Sequence, residues 1–145
     1  MSKVIIYNQE NGIMAICVPA NNSGLTIEEV AVKDCPKGAK IIDRTQLDEL
    51  DNDFRNAWSC DKDMNPIIDM TLAKDVWRDK IRTARIPKLQ ELDIQYMRAQ
   101  EAGDDTSEIV KTKNKLRDFP AKAEIESAST VEELKAIWDN DLGDI

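Results

Sequence analysis

Residues 71–102 constrain the fold most strongly, because this stretch contains no glycine and a single proline. Two sets of its apolar residues have the spacing that is typical of one helix face. The first set is Leu72, Val76, Trp77, Ile81 and Ala84, and the second, in steps of three, four and three, is Leu89, Leu92, Tyr96 and Ala99. At a rise of ~1.5 Å per residue, a straight helix here would extend about 50 Å. A chain of 145 residues cannot bury both faces of such an arm. We therefore expect an apolar stripe that contacts a second copy or another protein.

Pro87 interrupts this helical pattern and leaves two arrangements open. Proline lacks the backbone N–H and crowds the preceding turn, so we expect a kink or a fresh helix start there. In the first arrangement the arm protrudes and presents its apolar stripe. In the second, Pro87 folds the helix back into a compact bundle with no spare surface.

The arm is predicted to end at Gly103 and to return as a second helix. The short connection makes the two helices antiparallel neighbours, and residues 105–108 offer capping side chains to the returning helix. Phe119-Pro120 is expected to close that helix. A last helix begins with the capping box of residues 130–133 and is expected to bury Leu134, Ile137 and Trp138.

The first half of the chain has a different sequence pattern, with short runs of β-forming residues in place of long helical patterns. Residues 4–7 and 13–18 are such runs, and Asn11-Gly12 lies between them. Because Asn-Gly tolerates positive φ, this order predicts a tight antiparallel hairpin.

Further elements of the first half follow from turn and capping signals. A capping box at residues 26–29 predicts a short helix that stops at Cys35-Pro36. Strands are expected at residues 39–42 and 67–70, with a turn of helix at residues 54–58.

These elements predict an α+β fold. A small N-terminal antiparallel-type sheet with a short helix should precede a long antiparallel helical hairpin and a short C-terminal helix. Residues 1–70 are expected to form the small α+β domain. Residues 71–145 are expected to form the hairpin, which has the pattern of a coiled-coil arm, and the C-terminal helix.

The sequence lacks the motifs that usually mark catalysis or metal binding. There is no histidine, and the three cysteines, Cys17, Cys35 and Cys60, include no C-x-x-C pair, so a structural zinc site is not expected. We interpret them as reduced thiols, with Cys17 as a small core residue. No glycine-rich phosphate loop or nucleophile elbow is present. We therefore expect neither an enzyme nor a bound cofactor or metal.

Two acidic segments resemble cation sites only superficially. Residues 61–65 begin like a calcium loop, but Pro66 and Leu72 stand where the glycine and the bidentate glutamate are needed,. The carboxylates of residues 48–53 lack a convergent ligand from elsewhere in the sequence. We interpret them as a solvated turn.

The overall charge excludes further classes of protein. The chain carries 20 Lys+Arg against 28 Asp+Glu, a net charge of −8, which argues against binding nucleic acid by bulk charge. No apolar run reaches the ~18 residues that a membrane span requires. The first residues lack the apolar core of a signal peptide, so we expect the protein to stay where it is made.

Basic residues concentrate in two runs of the helical half. Six lie from Lys74 to Lys88 and four from Lys111 to Arg117. An antiparallel hairpin places residues 113–117 across from residues 91–93, which predicts ion pairs between the helices. The alternative is a positive strip that docks an acidic partner, which requires the first run to be unpaired and on one face.

The helical half also carries a recognisable pattern: residues 81–85 read I-R-T-A-R, residues 89–93 read L-Q-E-L-D, and residues 113–120 read K-N-K-L-R-D-F-P. It resembles tailed-phage tail assembly chaperone and tail-fibre assembly proteins. In these an R-x-x-R-x-x-L-L helix precedes a return helix that ends in an L-R-D-x-P element. Residues 36–38 and 54–58 also resemble small phage proteins encoded among tail genes.

The resemblance implies a non-enzymatic phage or prophage protein that acts in tail or tail-fibre assembly, or as a minor virion component. The implied partner is a tail or tail-fibre protein or a second copy of the chain, in the host cytoplasm during assembly or in the virion. The apolar stripe and the L-R-D element supply the expected interface residues, Trp77, Ile81, Leu89, Leu92, Tyr96 and Arg117. The alternative is a small acidic phage-encoded inhibitor of a host defence or nucleic-acid-processing protein, whose carboxylates occupy a cationic cleft.

Overall fold

The computed structural model describes residues 2–144 and has the α+β architecture that the sequence predicts. Residues up to Ala73 form one unit, which contains the strands, and residues from Lys74 onward form a second, helical unit. Within residues 2–144, no helix combines the length and apolarity needed to cross a bilayer.

The first sheet consists of β1 (Lys3–Asn8), β2 (Met14–Cys17) and β3 (Lys40–Asp43). The strand order is β2-β1-β3, and both neighbours run antiparallel to β1. The β1–β2 connection turns at Gly12, whose φ of +84° lies in the region that favours glycine,. This confirms the predicted hairpin, and β3 confirms the third predicted strand.

Helix α1 (Ile27–Asp34) follows β2 in the chain and contacts β1 and β3. Thr26 Oγ1 accepts a hydrogen bond from the Glu29 N–H at 3.2 Å, and the Glu29 carboxylate accepts one from the Thr26 N–H at 3.0 Å. This is the predicted capping box. The helix ends before Cys35, as predicted, because the residue that precedes a proline disfavours the helical conformation.

A second sheet pairs two short antiparallel strands, β4 (Trp58–Cys60) and β5 (Pro66–Ile68). β5 overlaps the predicted fourth strand (residues 67–70) at Ile67 and Ile68, but it begins one residue earlier and ends two residues earlier. The sequence analysis assigned Trp58 to the end of a helical turn and missed β4. The 3₁₀ helix Asn52–Ala57 is that turn. The Asn8 side chain joins the two sheets, since it donates to the Cys60 carbonyl at 3.0 Å and accepts from the Cys60 N–H at 2.8 Å.

The main core of the first unit lies against one face of the three-stranded sheet. Alternate residues of a strand share a face, and the buried cluster there comprises Val4, Ile6, Met14, Ile42, Leu47, Trp58 and Cys60. Ile5 and Val30 are also buried but lie outside this cluster. The face that carries Ile5 is therefore the one that α1 covers.

The long helix α2 (Met70–Ala102) runs without interruption through Pro87. The predicted fresh start at Pro87, and the alternative in which the helix folds back there, are therefore wrong. The exposed position of Pro87 explains why α2 tolerates a proline there. Pro87 and Thr83, whose carbonyl loses its helical donor, are both exposed, so the proline does not leave an unpaired carbonyl in the core of the unit.

The return helix and the C-terminal helices follow the predicted order. α2 ends before Gly103, which has a φ of +75°,. Helix α3 (Ser107–Asp118) follows. Asp105 Oδ1 caps α3 by accepting from the Ser107 N–H at 2.9 Å. Two shorter helices complete the unit, α4 (Ala123–Ser127), which the sequence analysis missed, and α5 (Val131–Ala136).

The predicted cap of the last helix forms with one change. Thr130 Oγ1 accepts from the Glu133 N–H at 3.2 Å, as expected. The Glu133 carboxylate accepts from the N–H of Ser129 at 2.7 Å, one residue earlier than a capping box requires,. Of the residues expected to be buried by this helix, Leu134 is buried, while Ile137 and Trp138 are half-buried.

Candidate partner-binding surface

The structure places most of the predicted interface residues inside the helical unit. Trp77, Ile81 and Leu92 are buried, and Leu89 and Tyr96 are half-buried. The stripe expected to contact a partner therefore packs within the unit, and the assignment of Trp77, Ile81 and Leu92 to a partner interface is wrong. The physical reason is that the helices that follow α2 already cover this face.

Another face of α2 remains exposed and apolar. Ile86, Ile94 and Met97 are 53%, 46% and 55% exposed. At ~100° per residue they lie on the side of the helix opposite Leu92. The long helix thus keeps an uncovered apolar strip, hereafter the outer strip, although the sequence analysis assigned the strip to the other face.

Among the described residues, one of the predicted ion pairs between α2 and α3 forms, whereas Lys115 contacts Asp139 and Asp141 instead and Glu91 contacts Lys88. The Lys113 ammonium contacts the Asp93 carboxylate and lies 5.3 Å from the centre of the Tyr96 ring. This confirms that Lys113 lies across from residue 93. Surface pairs of this kind add little stability, about 0.2–1 kcal/mol each, so their main effect is on the alignment of the two helices.

The first basic run is largely partnered, contrary to the requirement for a free positive strip. Arg78 contacts Asp75 and Glu126, and Arg82 contacts Asp79 at 2.8 Å. Lys74 and Lys80 also have partners within the unit, the Glu126 carbonyl and the Trp77 ring.

Four arginines nevertheless converge on one open groove of about 380 Å³, hereafter the arginine groove. It is lined by Arg78, Arg82, Arg85, Arg117, Pro120 and Ala121. The first three follow one another at spacings of four and three residues, so they share one face of α2. This spacing is visible in the sequence, but the fourth arginine belongs to another helix.

Arg85 and Arg117 meet because Arg85 caps the end of α3. Arg85 Nη1 donates to the carbonyls of Leu116 and Arg117, at 3.2 and 2.7 Å. A cation at the carboxyl end of a helix compensates unpaired carbonyls and the helix dipole. The Arg117 side chain is exposed, and it has no hydrogen bond or ion pair with any residue in the described part of the chain. Arg117 is therefore the guanidinium in this groove that is ready to bind an external anion.

The groove unites two motifs that are far apart in the sequence. Arg82 and Arg85 belong to the R-x-x-R pattern of α2, whereas Arg117 and Pro120 belong to the L-R-D-x-P element. Pro120 is buried and forms the groove wall with Ala121. Of the predicted interface residues, Arg117 alone is exposed and lines this groove.

The C-terminal segment is joined to α3 by a pair of ionic contacts from Lys115. Lys115 Nζ lies 2.8 Å from an Asp139 oxygen and 3.1 Å from an Asp141 oxygen. The hydrogen bond from Lys115 lowers the pKa of Asp139, and the same contact raises the pKa of Lys115. The segment is further held by Trp77, whose Nε1–H donates to the Ile137 carbonyl at 2.9 Å.

Replacing Asp139 with asparagine is expected to destabilise the helical unit by about 0.2–1 kcal/mol at neutral pH, because the charge opposite Lys115 is lost. The turn survives, since an amide oxygen can still accept the Asp141 N–H that Asp139 Oδ1 accepts at 2.8 Å. The folded chain has the lower Asp139 pKa, so this stabilisation is present above the unfolded value of about 3.9 and is lost as pH falls through the folded value.

Urea unfolding of the wild type and Asp139→Asn, at neutral pH and at about pH 2, measures this effect. The difference between the two proteins should narrow in acid. A difference that does not change with pH would show that the charge of Asp139 does not contribute.

The calcium-like segment is the turn that joins β4 and β5. Asp61 Oδ1 accepts from the N–H groups of Asp63 and Asn65, at 2.9 and 2.8 Å. These backbone contacts, led by that from Asn65, lower the pKa of Asp61. The carboxylate therefore has a structural role as the acceptor of an Asx turn. Among residues 2–144, no group of three Cys, Asp or Glu side chains is arranged to hold a metal ion.

Comparison with protein-family models, with curated proteins and with solved structures gives no match to this chain.

Proposed function

We propose that this chain is a non-enzymatic bacteriophage or prophage protein that acts in tail or tail-fibre assembly by binding a partner protein. The observation that carries the proposal is the convergence of Arg82, Arg85 and Arg117 on one groove. These are the arginines of the pattern that resembles tail assembly chaperones and tail-fibre assembly proteins.

The chemistry of the arginine groove favours an acidic segment as the bound element. A guanidinium presents its donors in a planar fork that matches a carboxylate, and such charge-assisted pairs are stronger than neutral hydrogen bonds. Arg85 is oriented by its hydrogen bonds to the α3 carbonyls. The guanidinium of Arg117 has no partner in the described part of the chain. A partner carboxylate beside Arg117 gains this contact without displacing an existing ion pair.

The outer strip extends the same surface with apolar area. Ile86 lies one helical turn beyond Arg82 on α2 and is largely exposed. A partner segment that combines a carboxylate with apolar residues therefore fits both features. Electrostatic contacts of this type give specificity, and the desolvated apolar contacts supply much of the affinity.

Arg117→Glu is expected to reduce recovery of the tail or tail-fibre protein at least about tenfold, because a like charge replaces the free guanidinium. The full chain is tagged and purified from cells that produce the phage, and co-purified proteins are quantified by mass spectrometry. Lys111→Glu is the matched control, since it makes the same charge change at an exposed position of α3 outside the groove.

The two variants separate the possible outcomes. Equal recovery of the tail or fibre protein with both variants contradicts the assignment of the groove. Recovery of a host defence or nucleic-acid-processing protein in its place contradicts the assembly function and supports the inhibitor alternative. Circular dichroism of both variants verifies that the helical unit stays folded.

A further inference from the structure

The three-stranded sheet leaves main-chain groups of β2 open at its edge. The strand order puts β2 at an edge of the sheet, and the Gln9 N–H donates to the Ile13 carbonyl at 2.9 Å. Hydrogen-bonded and non-hydrogen-bonded pairs alternate along antiparallel strands, so the register turns the main-chain groups of Met14 and Ile16 away from β1. Arg55 Nη1 binds the Met14 carbonyl at 3.2 Å. In the described part of the chain the N–H and C=O of Ile16 have no partner, and they can therefore pair with another strand.

A groove lies beside this open edge. Its first part is a cleft of about 260 Å³, lined by the apolar residues Ile16, Val18, Leu47 and Trp58 and by the polar residues Arg44, Asp48 and Asn52. A second cleft of about 540 Å³ lies where β1 begins and β2 ends, and Val18 and Arg44 line both clefts. Val18 is 61% exposed. The two clefts therefore form one groove, hereafter the edge groove, and the second cleft alone is within the range of ligand sites, roughly 300–1,000 Å³.

The second cleft is cationic, although the unit that contains it is acidic. Residues 1–73 contain twelve Asp and Glu against seven Lys and Arg. Among the described residues, the charged side chains that line this cleft are Lys3 and Arg44. Both are exposed, and neither side chain has a hydrogen bond or ion pair in the described part of the chain, even though Asp43 lies opposite Lys3 in the strand register. The cleft thus presents two uncommitted cations to an external carboxylate.

We propose that the edge groove binds an extended acidic segment of a partner protein by strand addition. The backbone of the segment pairs with the free N–H and C=O of Ile16, and alternate side chains of the segment enter the first cleft. A carboxylate of the segment lies beside Arg44 and Lys3. Because Asp48 lines the first cleft and repels a carboxylate there, the acidic side chain belongs at the end of the groove that Lys3 lines.

The same edge is poorly suited to a second copy of the chain. Symmetric pairing of two β2 edges through Ile16 would bring Met14 of one copy opposite Val18 of the other. The Met14 carbonyl is already bound by Arg55, so this pairing costs an existing hydrogen bond. A separate segment that extends from Ile16 toward Val18 leaves that bond in place. This site belongs to the first unit, and it goes beyond the proposed function, which concerns the arginine groove of the helical unit.

The test selects short random peptides, displayed on yeast, that bind the purified full chain. We expect the enriched peptides to combine Asp or Glu with alternating β-forming residues. Arg44→Glu should weaken their binding at least about tenfold, because it places a like charge beside the peptide carboxylate. Lys62→Glu is the matched control, since it makes the same charge change at an exposed position in the turn between β4 and β5. Circular dichroism verifies that both variants stay folded.

N-methylation of an enriched peptide tests for strand addition directly. A strand that pairs with Ile16 presents the N–H groups of alternate residues to β2. Methylation of these alternate residues should therefore weaken binding, whereas methylation of the residues between them should not. Peptide binding that is insensitive to Arg44→Glu or to the methylated position would overturn the proposal, as would a selection that enriches no peptide.

Two further outcomes identify a different occupant or a different site. Acidic peptides that Arg117→Glu releases and Arg44→Glu does not are bound in the arginine groove. That result contradicts the edge groove and leaves the proposed function standing. A dimer of the chain alone, which sediments as a monomer after Arg44→Glu, identifies a second copy as the occupant and contradicts a separate partner.

Discussion

Replacing Trp77 with alanine is expected to destabilise the helical unit by about 3–5 kcal/mol, the range typical of a fully buried aromatic side chain. Trp77 is buried, and its ring packs edge-to-face on Trp138 with centroids 5.6 Å apart. Its Nε1–H also donates a hydrogen bond to the Ile137 carbonyl at 2.9 Å. The substitution therefore removes core volume, an aromatic contact and the main tie to the C-terminal segment at once.

Urea unfolding followed by far-ultraviolet circular dichroism measures this loss as a lower midpoint. Trp77→Phe is the matched control, because it keeps an aromatic ring and removes the Nε1–H donor together with only part of the buried ring volume. The urea midpoint of Trp77→Phe should lie between those of the wild type and the alanine variant. If the alanine variant unfolds at the same urea concentration as the wild type, Trp77 does not organise this core as the structure indicates.

Replacing Leu92 with aspartate is expected to destabilise the helical unit by about 4 kcal/mol or more. Leu92 is buried on the face of α2 that the rest of the unit covers. The change removes a packed side chain and places a carboxylate where it loses hydration. Since the stability of a typical domain is only about 5–15 kcal/mol, most of the helical unit should lose its ordered packing.

Amide hydrogen exchange is the measurement, because it reports each segment separately. Protection should collapse in α3 and α5, while β1 and β3 of the first unit remain protected. Ile94→Asp is the control, since it introduces the same charge two residues away on the outer strip, where Ile94 is exposed. Equal loss of protection in both variants would contradict the assignment of buried and exposed faces.

The same pair of variants also separates folding from partner binding. The sequence analysis placed Leu92 among the residues expected to contact a partner. The structure reverses this expectation, because Leu92 is interior and Ile94 is exposed. A binding defect in the Ile94 variant is thus interpretable, whereas one in the Leu92 variant reflects unfolding.

Local signals in the sequence were sufficient wherever one or two residues dictate the backbone. Gly12 and Gly103 both adopt the positive φ that their turns require,. Thr26 caps α1 through its predicted partner, and Cys35-Pro36 ends that helix as expected. In each case the deciding interaction spans a few residues, so tertiary packing has little influence on it.

Signals that depend on packing were less informative. β4 has only three residues and becomes a strand because β5 and the Asn8 side chain satisfy its backbone groups. A kink or a fresh helix start was expected at Pro87, yet α2 continues through this residue, which lies on the exposed side and leaves no unpaired carbonyl in the core,. Propensity alone cannot tell an exposed helical proline from a buried one.

The sequence by itself determined that α2 is long, amphipathic and paired with a returning helix, since these properties follow from periodicity and from the break at Gly103. Only the tertiary structure decided which apolar face is covered and which arginines come together. Both outcomes depend on how α3 and the C-terminal segment lie against α2. Such long-range contacts cannot be read from the spacing of apolar residues in either helix.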